Sequence, residues 1–120
     1  MLQTLILQNL LDNDEFTRVV IPFLKKEYFD IDHKNVFETV VNFVNKYNKL
    51  PTPETLAIEI DNSDLSDQQY KTSIDIVNKF SAISEKQDLD WLLSTTEKWC
   101  QDRAIHLAIM QSISIIDGKD

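Results

Sequence analysis

The chain contains one glycine, Gly118, among 120 residues, where an average soluble protein of this length carries roughly eight. Phosphate-binding loops, dinucleotide fingerprints and glycine-lined catalytic turns need residues that tolerate positive φ or let the backbone approach a ligand closely. Gly118 alone builds none of them. Tight hairpins also lean on glycine, so the composition disfavours sheet and points to an all-α fold. Proline is nearly as scarce, at positions 22, 51 and 53. A lone cysteine, Cys100, closes no intramolecular disulfide, which fits a reducing compartment. Basic residues are also short: 12 Lys and Arg stand against 20 Asp and Glu, for a net charge of −8. A surface of that sign repels the phosphate backbone whose neutralisation drives nucleic-acid affinity, so no strong direct DNA binding is expected. No stretch reaches the roughly 20 apolar residues of a membrane span, and no basic, apolar leader opens the chain. The expected location is cytoplasmic, with no membrane partner.

What is present suits a soluble globular domain, at 42% hydrophobic and 27% charged residues. Leu2, Leu5, Ile6 and Leu10 form an apolar stripe on a first helix over 2–11. Asp14 is placed to cap a second carrying Phe16, Val19, Val20 and Phe23, which Pro22 kinks or ends. Asp32 is a candidate cap for a four-turn helix presenting Val36, Phe37, Val40, Val41, Val44 and Tyr47. Thr52, Pro53 and Glu54 make a strong helix start, combining cap, first-turn proline and acid at the positive dipole end. Ser66 and Gln69 have capping-box spacing, and Tyr70, Ile74, Val77 and Phe80 line the helix they open. The last helix starts near Asp88 and meets no breaker before Gly118, a run of about 29 residues or 43 Å.

That helix changes character along its length. Leu89, Leu93, Thr96, Cys100 and Ala104 make one stripe, as for a helix laid on a core. Beyond Arg103 apolar residues cover well over half the circumference, so something other than this chain's own core is expected to cover them. Ile105, Ile109, Met110, Ile113 and Ile116 are the candidate self-association surface. Burial in the centre of a bundle is the competing explanation, and the helix's length favours projection.

Catalytic or metal chemistry finds no support. Cys100, His33 and His106 fall in no zinc or nucleophile spacing. Asp102 and His106 lie one turn apart and are expected to form a surface pair, while Cys100 reads as core and His33 as polar surface at a helix start. The acidic runs at 12–15, 30–32 and 61–67 lack the glycine and terminal glutamate of a calcium loop, and each precedes a helix whose dipole favours acids. Trp91 and Trp99 are expected to pack in the core. No catalytic, cofactor-binding or metal site is assigned.

The ordered string Glu27-Tyr28-Phe29, Phe37, Tyr47, Pro51, Leu56, Trp91-Leu92, Thr96-Glu97-Lys98 and Arg103-Ala104 resembles the N-terminal domain of the DnaB-family replicative DNA helicases of T-even-like bacteriophages. Tyr28, Phe29, Phe37, Tyr47, Leu56, Trp91 and Leu92 enter as packing residues of that pattern. The resemblance implies a helical globule over 1–87 and, over 88–120, the first arm of a helical hairpin that is cut before its second arm. It further implies a collar domain that joins subunits of a hexamer and communicates with primase and a helicase loader. Nucleotide-driven unwinding, with ATP or GTP and Mg, would lie in a RecA-like C-terminal domain absent from this sequence, so the fragment itself is not expected to be an enzyme. A rival of another class is a free-standing acidic protein that mimics DNA. That rival requires carboxylates aligned along one face, whereas here they cluster at helix starts and loops.

Overall fold

The computed structural model describes residues 1–83 and 85–118. Six α-helices account for most of them, with no strand among the described residues: α1 (Leu2–Asp12), α2 (Asp14–Val20), α3 (Ile31–Tyr47), α4 (Pro53–Asp61), α5 (Asp67–Lys79) and α6 (Leu89–Ile116). Short 3-10 turns lie at Lys26–Tyr28 and Phe80–Ala82.

Side-chain chemistry sets most of the helix starts. Thr52 accepts the Thr55 amide, with Pro53 in the first turn. Ser66 and Gln69 form the reciprocal capping box, at 3.2 and 3.0 Å. Asp88 accepts the Trp91 amide at 3.0 Å. Two caps differ from the sequence expectation. Asn13, not Asp14, caps α2 through the Phe16 amide, and Asp30, not Asp32, caps α3 through the His33 amide. In both runs the acid expected to cap sits in the first turn instead, where its charge still meets the helix dipole. α2 ends at Val20, two residues before Pro22.

The helix buried on several sides is α1, where Ile6, Leu7 and Leu10 are fully inaccessible. Around it gather Phe16 and Val20 of α2, Val36, Phe37 and Val40 of α3, Leu56 and Ile60 of α4, and Ile76 and Val77 of α5. Burying a side chain of this size contributes about 1.5–3 kcal/mol. The buried polar groups of this region are largely paired. Asn9 donates to the Leu5 carbonyl and to Gln87 Oε1, and Thr17 donates to the Leu10 carbonyl. Of the residues expected to line α5, Val77 and Phe80 are buried and Ile74 partly so, whereas Tyr70 is exposed and the small Ser73 is fully buried.

α6 lies against the globule from its start to about Leu107. Leu92, Thr96 and Cys100 are buried, with Leu89, Leu93, Trp99 and Leu107 partly so. Ala104, expected on that stripe, is exposed. α6 contacts α2 and the 3-10 turn at Lys26–Tyr28. Arg103 Nε donates to the Tyr28 carbonyl at 2.7 Å, and Trp99 packs edge-on to Tyr28 and tilted against Phe29, which stacks on Phe37. This cluster fixes the direction in which α6 leaves the core. Asp117 and Gly118 close the helix, with Gly118 at φ +71° donating to the Ile115 carbonyl. An L residue is disfavoured at that φ, which is where a terminating glycine belongs.

Candidate functional site

The distal half of α6 carries the most prominent unpartnered apolar surface among the described residues. Ile105, Ile109, Met110, Ile113 and Ile116 are 59, 53, 51, 46 and 82% exposed. At 3.6 residues per turn, Ile105, Ile109, Ile113 and Ile116 fall within a stripe about 80° wide. Leu92, Thr96 and Cys100 centre on a direction about 140° away on the same helix, so the stripe faces away from the globule. Met110 lies off the stripe, toward the flank, and Ile115, also exposed, widens the apolar surface on the other side. A row spaced by four, four and three residues has the geometry of a helix–helix seam.

The remaining sequence candidates fall as follows. Tyr28, Phe29, Phe37, Leu56 and Leu92 are buried. Tyr47 and Trp91, expected as packing residues, are instead 45 and 49% exposed. Tyr47 stands at the last turn of α3 against Phe43, with the Lys46 ammonium 5.3 Å from its ring centroid. Trp91 lies in the first turn of α6, on the side away from the core. Of the two tryptophans, only Trp99 joins the aromatic cluster.

Asp102 does not pair with His106. It meets Lys98 at 3.7 Å, one turn toward the N-terminus, in an exposed contact of the kind that contributes little. His33 is no free surface group. Its Nδ1 lies 2.6 Å from Asp30 Oδ1 and its Nε2 2.9 Å from Thr4 Oγ1, so the ring ties α3 to α1. Burial raises the Asp30 carboxyl, but the His33 amide and imidazole outweigh it and hold its pKa below the usual carboxylate value. Sequence spacing could not reveal this tie, because Thr4 and His33 are 29 residues apart.

Desolvation pushes the Cys100 thiol up to about 11, the opposite of an activated nucleophile. No group of three or more His, Cys, Asp or Glu among the described residues could hold a metal ion. Among them, too, no helix is long and apolar enough to cross a membrane. Each of α2 to α6 has an acid in its first turn.

No protein-family model matches the chain. Over 112 residues it is 29% identical to a "DnaB-like replicative helicase" of Enterobacteria phage T4, a match covering 92% of this chain and 23% of that relative. The chain thus spans less than a quarter of the length of the helicase it matches. The similarity and the all-helical architecture bear out the resemblance to the N-terminal domain of such a helicase.

Proposed function

We propose that this chain is the N-terminal collar domain of a phage replicative DNA helicase, joining subunits of a hexamer through the distal half of α6 and presenting the globule to primase and a helicase loader. Nucleotide hydrolysis and translocation, with ATP or GTP and Mg, belong in this reading to a C-terminal domain outside the sequence, acting in the bacterial cytoplasm. The observation that carries the proposal is the row Ile105, Ile109, Ile113 and Ile116, which is at least 46% exposed throughout and faces away from the core. Four isoleucines in register on a projecting helix suit a mate of the same shape. The similarity to a DnaB-like helicase supplies the context in which a second copy is that mate.

The test is association in solution. Light scattering of the wild-type chain across a concentration series is expected to show a species heavier than the monomer. Ile109→Asp with Ile113→Asp is expected to return a monomer with unchanged circular dichroism, because both side chains lie outside the core. A strict monomer at millimolar wild-type concentration would overturn the self-association reading. Co-purification with the phage's own primase and loader tests the second part separately.

A further inference from the structure

A second apolar surface lies on the globule, in the angle between α1, the Pro51 corner and the end of α5. There the chain leaves α3 through Asn48, which takes the left-handed conformation at φ 57°, and enters α4 at Pro53. The result is an open groove of about 540 Å³, within the 300–1,000 Å³ range of small binding clefts. Leu11, Pro51, Ala57, Val77 and Phe80 give it an apolar lining, beside polar Gln8, Asn78 and Ser81. Among the described residues its ionisable lining consists of two carboxylates, Asp12 and Glu54, the first shared with the hollow that holds Lys86. Neither takes part in an ion pair among the described residues, and both are exposed.

Two of the other grooves differ in this respect, while the hollow at Phe23 and Tyr28 holds a single carboxylate, Glu97, and no Lys or Arg. The one beside α3 contains Lys26 and Glu38, which pair with each other at 3.6 Å. The hollow at the start of α2 places Lys86 among its acids. The Pro51 groove alone of these three combines an apolar lining with carboxylates and no cation. A complementary occupant must bring apolar side chains for the lining and positive charge for the rim.

We propose that the Pro51 groove docks a short segment of a partner protein in which apolar residues are flanked by Lys or Arg. The inference rests on the reading of this domain as an adaptor within a helicase assembly and deepens it by naming the surface and the chemistry of the docked segment. The site is distinct from the α6 stripe, so one domain could hold a second subunit and a partner segment at once. Few apolar contacts and a charged rim imply weak, salt-sensitive binding, suited to a partner that comes and goes.

The probe is an acetylated, amidated hexapeptide with two central leucines flanked on each side by two lysines, titrated into isotope-labelled protein and followed by NMR. Amide shifts are expected to concentrate at Leu11, Leu50, Ala57, Asn78 and Ser81. The same peptide with glutamates in place of the lysines is expected to leave these amides unmoved. Asp12→Lys with Glu54→Lys should weaken binding about tenfold or more, since like charges then face each other across the rim. Ala57→Trp, which fills the groove and leaves the rim charge intact, should abolish it. Shifts spread evenly over the acidic surface, or persisting in Ala57→Trp, would overturn the proposal, because both mean attraction to net charge alone. Equal response to the glutamate peptide would overturn it as well. Retention of primase or loader in co-purification with no peptide response in the groove removes this inference and leaves the adaptor reading standing. A groove response without any co-purified partner does the reverse.

Discussion

At the scale of single residues, the side chain with the widest structural reach is Asp30. It caps α3, pairs with His33, and has its own amide N–H bonded to Gln3 Oε1 at 3.0 Å, so three backbone or side-chain links converge on one position. Removing such a cap costs about 1 kcal/mol. Asp30→Ala is expected to show that loss in urea denaturation at pH 6. Because the native carboxyl is held below its ordinary value of 3.8, the charged form stabilises the fold above that pH, and its contribution fades as pH falls through the lower, native value. The gap between wild type and variant should therefore be full at pH 6 and narrow below about pH 4. A gap that is constant down to pH 2 would mean that the charge contributes nothing. The sequence marked the acidic run as a capping site. It did not identify which acid caps, because Asp30 and Asp32 have the same local chemistry and the choice is made by Gln3 and Thr4 on another helix.

At the scale of helices, period and caps were legible wherever the signal is local. The Thr52-Pro53-Glu54 start, the Ser66–Gln69 box and the extent of α6 needed only neighbouring residues. The face of α5 was legible at Ile74, Val77 and Phe80 but not at its start, where Tyr70 is exposed and the buried side includes Ser73, a residue that reads as polar and is small enough to admit a close neighbour. Thr96, which its spacing placed on the core stripe of α6, is fully buried, with no partner for its hydroxyl among the described residues. Leaving a buried hydroxyl unpaired costs about 1–3 kcal/mol. Thr96→Val keeps the shape and removes that group, so it should raise the urea midpoint by an amount equivalent to about 1 kcal/mol, since valine and threonine have nearly equal helix propensity. A lowered midpoint would show that the hydroxyl is satisfied. Tyr47 and Trp91 mark the opposite limit. Aromatic character and helical spacing placed them in the core, but a 3.6 period does not distinguish a helix's inner face from an outer one that carries an aromatic residue.

At the scale of the molecule, a globule packed around α1 is joined to a helix that outruns it. α6 has 28 residues, about 42 Å of helix, and the longest extent of the chain is 45 Å. The glycine scarcity that excluded phosphate loops holds for this domain alone, since the helicase it resembles extends well beyond the matched part. The direction of α6 depends on the contact of Arg103 with the Tyr28 carbonyl. Losing a hydrogen bond from a charged donor costs about 1.5–3 kcal/mol. Arg103→Leu is therefore expected to lower stability by about 2 kcal/mol and to broaden the amide order parameters of residues 107–116 relative to 89–100. Unchanged order in the distal half would assign its direction to the aromatic cluster alone.

Arg103 then acts as the fulcrum of a lever. From it to Ile116 is about 20 Å of helix, so a tilt of 10° at the Tyr28 loop displaces the tip by about 3 Å, close to half a helical turn. A mate gripping the tip feels small rearrangements of the globule magnified, and a load on the tip returns to the loop beside α3 as torque. One hydrogen bond and the packing of Trp99 on Tyr28 and Phe29 set the gain of that transmission.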